Sequence, residues 1–152
     1  MTLRPHGERK IWTEGRIFFS RNVGPFNLEL LQHATEESRR ERIRLTNSGP
    51  WATIAIISKS VMFTPDALDM VRSNMSDPER NGNLVATAFV VPSGTEGRVF
   101  CEDLFTPIYA LAGAAFRVFD TLEPAKIWVT EVIGLAEENR LSQPGNPQSG
   151  KS

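Results

Sequence analysis

The sequence predicts an α/β fold: a mixed, mostly parallel sheet with an N-terminal hairpin and flanking helices. Three observations carry this. Trp51–Ser58 and Leu84–Val91 are apolar almost throughout and read as strands covered on both faces. A segment of helical spacing follows each of them. Lys10-Ile11-Trp12-Thr13, Glu14-Gly15 and Arg16-Ile17-Phe18-Phe19-Ser20 set β-branched and aromatic residues around a short glycine turn, the pattern of a hairpin.

Taken in order, the elements are β-β-α-β-α-β-α-β-α. Gly24-Pro25 ends the second strand, and Asn27 is placed to cap a helix that turns Leu28, Leu30, Leu31 and Ala34 to one side. The charged half of that helix, Glu36 to Arg42, includes a favourable Glu36–Arg40 pair and reads as a solvated end. Thr46-Asn47-Ser48-Gly49-Pro50 has the composition of a loop. Thr64 as cap, Pro65 at the first helical position and Asp66 at the dipole's positive end open the next helix. Ala67, Met70, Val71 and Met75 share its inner face, and Asn81-Gly82 supplies the stop. Cys101–Gly113 is helical by pattern, with Pro107 either at a helix start or at a kink. Phe116–Phe119 is a short strand. Thr121 caps a last helix with Ala125, Trp128, Val129, Val132 and Ile133 in a stripe. Residues 1–7 form an extension, 8–138 one domain, and 139–152 a polar tail rich in Ser, Gln, Pro, Gly and Asn.

Composition removes several classes of function. The 152 residues carry 17 basic and 18 acidic side chains, for a net charge of −1, a poor footprint for a nucleic-acid binder. The balance is uneven: residues 1–50 hold nine basic and six acidic residues, against eight and twelve in 51–152. Met1–Lys10 has no apolar core of a secretory signal, and no apolar run reaches membrane-spanning length, so a cytoplasmic location is expected. Cys101 is the single cysteine, which rules out an intrachain disulfide and a Cys-based zinc site. It reads as a buried structural thiol.

Signatures of catalysis are scarce. Neither glycine-rich phosphate motif is present, and Pro92-Ser93-Gly94-Thr95-Glu96-Gly97 lacks both the glycine spacing and a phosphate lysine. Asp66 and Asp69, like Glu102-Asp103, are explained by the dipoles of the helices they open. With two histidines, His6 and His33, no triad or His-metal set can be assembled, so no metal or cofactor is expected. An enzyme is the least supported class. Ser58-Lys59-Ser60 has positional interest, because ligands and partners of open α/β sheets gather at the carboxyl ends of strands.

Four stretches carry a resemblance. Gly24-Pro25-Phe26-Asn27-Leu28-Glu29, the strand at Trp51-Ala52-Thr53-Ile54-Ala55 and the helix start Phe63-Thr64-Pro65-Asp66-Ala67-Leu68 resemble the STAS-like group. Phe116 to Trp128 is similar to that group's closing pattern, an aromatic strand followed by A-x-x-W. The group includes bacterial anti-sigma factor antagonists and cytosolic domains of sulfate transporters. The resemblance spans residues 8–135 and implies a bacterial signalling or interaction module. The phosphoswitch does not carry over. Where its antagonists have Asp-Ser-Ser-Gly, this chain has Thr64, Pro65, Asp66 and Ala67, with no serine.

Two functions are therefore expected. The first is a non-catalytic, regulatory protein-interaction module whose partner surface includes Ser58, Ser60, Thr64 and Asp66. The second is a binder of a small apolar ligand or lipid, in a pocket lined by Met62, Phe63, Phe105, Ile108, Tyr109 and Phe116. A homodimer is expected as well, since Trp12, Phe18 and Phe19 in an edge hairpin need cover.

Overall fold

The computed structural model describes residues 9–142. The expected extension at 1–7 and the tail beyond 142 lie outside them. Strands β1 (Lys10–Glu14) and β2 (Ile17–Val23) form the hairpin. The chain continues through α1 (Leu28–Ser48), β3 (Trp51–Ser58), α2 (Pro65–Met75), α3 (Pro78–Asn81), β4 (Leu84–Val90), α4 (Arg98–Ala110), β5 (Ala115–Phe119) and α5 (Leu122–Ser142).

The five strands lie side by side in chain order, β1-β2-β3-β4-β5. β1 runs antiparallel to β2, and every later pair is parallel. Because the sheet always grows toward the same edge, crossovers of one hand put α1, α2 and α4 on the same face. There Phe18, Ile57, Phe89 and Phe116 meet Val71, Phe105 and Ile108. The alternate residues, Phe19, Ile54, Ala88 and Val90, face the other way onto Ala125, Val129 and Ile133 of α5. Two covered faces explain why β3 and β4 show no polar alternation. Among the described residues no helix is long and apolar enough to cross a membrane.

Several elements differ from the sequence reading. The hairpin turns at Gly15-Arg16 instead of Glu14-Gly15, with Gly15 at φ 58°. α1 runs on to Ser48 because Leu45 and Thr46 are buried: the Thr46 hydroxyl donates to the Arg80 carbonyl (2.7 Å) and accepts from Trp51 Nε1 (3.1 Å). The expected loop shrinks to Gly49-Pro50. The expected Glu36–Arg40 pair does not form; Glu37 pairs with Arg9 and Glu41 with Arg44. α2 stops at Met75, and the short α3 fills the gap, its start capped by Asp77 accepting from the Glu79 amide at 3.0 Å. α4 begins at Arg98, before Cys101, and holds Pro107 in its interior. α5 continues through Ser142, past the expected boundary at 138. The aromatic residues that suggested a dimer are covered within the chain. Phe18 and Phe19 are buried, and Trp12 stacks on Phe19 with ring centres 5.0 Å apart.

Candidate functional site

A cavity of about 180 Å³ lies between the sheet and the α1–α2 layer. Strand period explains its floor. Every second residue of a strand faces α1, which brings up Phe18, Ser20 and Asn22 from β2 and Thr53, Ala55 and Ile57 from β3. Thr87 and Phe89 continue the floor into β4, in register with Thr53 and Ala55. Parallel register therefore sets Phe18, Thr53 and Thr87 in one row and Ser20, Ala55 and Phe89 in the next. The four small side chains among these six leave the space that α1 bridges without filling. Leu30, Leu31, Ala34 and Thr35 roof it, Val71, Asn74 and Met75 of α2 wall it, and Tyr109 of α4 closes one side.

Most polar groups around this space are partnered within the protein. Thr53 Oγ1 and Thr87 Oγ1 lie 2.8 Å apart in one shared hydrogen bond. Asn74 Nδ2 donates to Thr35 Oγ1 (3.0 Å), and Asn22 Nδ2 to Ser20 Oγ (3.0 Å). At the rim, Arg9 donates to Asn22 Oδ1 and pairs with Glu37 on α1 at 2.7 Å.

Two groups differ. The Arg42 guanidinium stands over the rings of Phe18 (5.7 Å) and Trp51 (5.4 Å), and its Nη1 donates to Asn81 Oδ1 at 2.6 Å. No carboxylate among the described residues is within ion-pair range of it. Burial, reinforced by the neighbouring Arg80 charge, pulls its pKa down to about 10. Tyr109 is 8% exposed, and its hydroxyl has no hydrogen-bond partner among the described residues. Burial pushes that phenol up to about 12, with Arg42 acting against the shift. Arg80 itself is buried under α1. Its Nε has no partner, and its other nitrogens make long bonds to Thr35 O (3.3 Å) and Ser38 Oγ (3.4 Å).

Of the six ligand residues expected from sequence, Phe63 and Tyr109 line the cavity. Phe105, Ile108 and Phe116 are buried behind them in an aromatic cluster; Tyr109 stacks on Phe116 with centres 5.3 Å apart and planes within 3°. Met62 lies outside, 45% exposed, and would touch a side chain added at Gly97. Of the four partner residues, Ser58, Thr64 and Asp66 are exposed. Ser60 is buried, its hydroxyl accepting from the Met62 amide at 3.1 Å. Thr64 precedes α2, but its side chain makes no cap bond; Oγ1 donates to Asp66 Oδ1 at 2.7 Å instead. Cys101 is buried, and burial holds its thiol up at about 12, far from a nucleophile's range.

The sequence reading missed Arg42, Thr53, Thr87 and Asn74. A signal existed for the first three. Leu31, Thr35, Ser38, Arg42 and Leu45 recur at alternating spacings of four and three, which continues the inner stripe of α1 through the arginine run. Thr53 and Thr87 are hydroxyls set inside the two most apolar strands. No family model, curated protein or solved structure matches this chain.

Proposed function

We propose that this protein is a non-catalytic binding module for a small, largely apolar ligand held in the cavity under α1. The observation that carries this reading is the pairing of a mostly apolar, partly open cavity with an unpartnered Tyr109 hydroxyl on its wall. A solvent-poor, mostly apolar space with a few convergent polar groups is the usual form of a ligand site. Its size sets the class of ligand. An engineered cavity of about 150 Å³ accepts benzene, so about 180 Å³ suits one ring or a short chain and excludes a two-chain lipid. The strand order, unbroken from β1 to β5, supports the STAS-like reading of the fold. Fold by itself does not assign a function.

Titration with toluene, followed by amide NMR shifts and thermal melting, tests the ligand reading. The expected result is saturable shifts at Thr53, Thr87 and Tyr109 with a raised Tm, since a ligand bound only to the folded state stabilises it. Unchanged spectra and Tm in toluene-saturated buffer overturn it.

A second reading, a protein-interaction module, is favoured by one observation. Val99 and Phe100 are 82% and 67% exposed on the first turn of α4, with exposed Met62 against the neighbouring Gly97. Affinity capture with wild type and with a Val99→Glu, Phe100→Glu variant tests it. A bound protein lost only from the variant supports the reading, and identical recoveries overturn it.

A further inference from the structure

We propose that the cavity selects an anionic ligand, a small monocarboxylate with an apolar body, whose carboxylate is taken by the Arg42 guanidinium and the Tyr109 hydroxyl. This rests on the ligand-binding reading above and adds the chemical class of the ligand.

Arg42 has more donors than the protein has acceptors for them. A guanidinium carries five N–H donors and a permanent charge, and Arg42 has one neutral protein acceptor, Asn81 Oδ1. Its rings, Phe18 and Trp51, offer cation–π contacts worth about 0.5–2 kcal/mol. Arg42 is half-buried, and drawing an uncompensated ion part-way out of water carries a desolvation cost that these ring contacts offset only in part. The usual remedy, a neighbouring Asp or Glu, is missing among the described residues. The charge that weighs most on it is another cation, Arg80, which makes the site more positive still. An anion entering the cavity would compensate Arg42, which lies on its lining.

The remaining features narrow the anion. Arg9, the other cationic residue on the lining, is already engaged by Glu37, which leaves one guanidinium for the ligand. One such fork matches a planar carboxylate in two parallel hydrogen bonds. A phosphate dianion would bring a second negative charge that one guanidinium does not neutralise. Tyr109 adds an O–H that burial keeps protonated, hence a donor. Its unpartnered hydroxyl and Arg42 interact electrostatically across the same space. The apolar body then lies on Phe18, Ala55, Leu31 and Val71.

Calorimetric or NMR titration at neutral pH with benzoate and hexanoate, against benzamide and hexanamide, with toluene as a neutral control, tests the inference. The acids are expected to bind at least about tenfold more tightly than their amides, the scale of a charge-assisted bidentate contact. Arg42→Met removes that preference while toluene still binds. Tyr109→Phe, which keeps the ring packing, is expected to weaken benzoate several-fold more than it weakens toluene. Toluene binding with acids no tighter than amides overturns the anion and leaves the cavity reading intact. Failure of toluene, amides and acids alike overturns both. If Arg42→Met does not fold, the wild-type comparison and Tyr109→Phe still decide.

Discussion

Asn81 Oδ1 accepts, at 2.6 Å, the single hydrogen bond that the Arg42 guanidinium makes among the described residues, while Asn81 Nδ2 donates to the Asn74 carbonyl at 2.8 Å. One buried amide at the end of α3 therefore joins α1, α2 and α3 beside the cavity. Asn81→Ala removes the guanidinium's acceptor and one donor to the Asn74 carbonyl, which keeps the Asp77 amide at 3.1 Å. It is expected to destabilise the protein by about 2–3 kcal/mol, read from urea unfolding. A loss below about 0.5 kcal/mol contradicts this role.

The hydroxyl pair of Thr53 and Thr87, 2.8 Å apart on neighbouring parallel strands, predicts strong non-additivity. Thr53→Val or Thr87→Val alone leaves one hydroxyl without its partner and costs about 1–2 kcal/mol. The double variant removes both polar groups and is expected to cost less than the sum of the singles by about 1 kcal/mol. Denaturant midpoints for the four proteins measure the coupling, and strict additivity refutes it.

Two glycines separate the effect of space from that of backbone conformation. A Cβ on Gly24 would meet the Ser60 carbonyl oxygen at 1.8 Å, where β2 hands over to α1. A Cβ on Gly94 meets nothing within 4 Å, but the residue sits at φ +87°. Gly24→Ala is expected to lower stability by more than about 3 kcal/mol and Gly94→Ala by about 1 kcal/mol. Thermal melts that rank the two in reverse overturn the reading.

Cys101 predicts a pH dependence on the alkaline side. Its ordinary value of 9.0 rises to about 12 in the fold through burial. Between these values the unfolded chain has released the thiol proton and the folded chain keeps it, so the folded state binds more protons. Stability is then fully present below pH 9 and falls as pH rises. Above pH 10 the Tyr109 phenol adds to the loss and Arg42 opposes it, which leaves pH 9–10 as the clean window. Urea midpoints are expected to fall across that window in wild type and to flatten in Cys101→Ala. Equal slopes in the two proteins contradict the assignment. A thiol reagent at pH 8 is expected to label Cys101 only on unfolding.

How much was legible in the sequence follows from how local each signal is. β3 and β4 announce themselves by apolar runs, and Asn27 does cap α1, its side chain accepting from the Leu30 amide at 2.9 Å. Those are facts of a few neighbouring residues. Arg42 was lost in a charged run, because what draws it inward is Trp51, Phe18 and Asn81, each on a different element. Thr64 kept its position before α2, but its hydroxyl found a carboxylate two residues away. Of the cavity, Phe63 and Tyr109 were expected from sequence, but its floor was not legible. It depends on the parallel register that lines up Ser20, Thr53, Ala55 and Thr87, and register between strands separated by whole helices leaves no local mark.

The five strands lie in the sheet in the order in which they leave the ribosome. Each new βα unit can thus dock on an edge that is already built, and the α1 face closes progressively as synthesis proceeds. The opposite face has no such sequence of partial covers. Phe19, Ile54, Ala88 and Val90 wait for Ala125, Val129 and Ile133, which come last. A nascent or truncated chain ending before α5 would carry a finished sheet with one greasy side bare, the substrate that holdase chaperones and quality-control proteases act on.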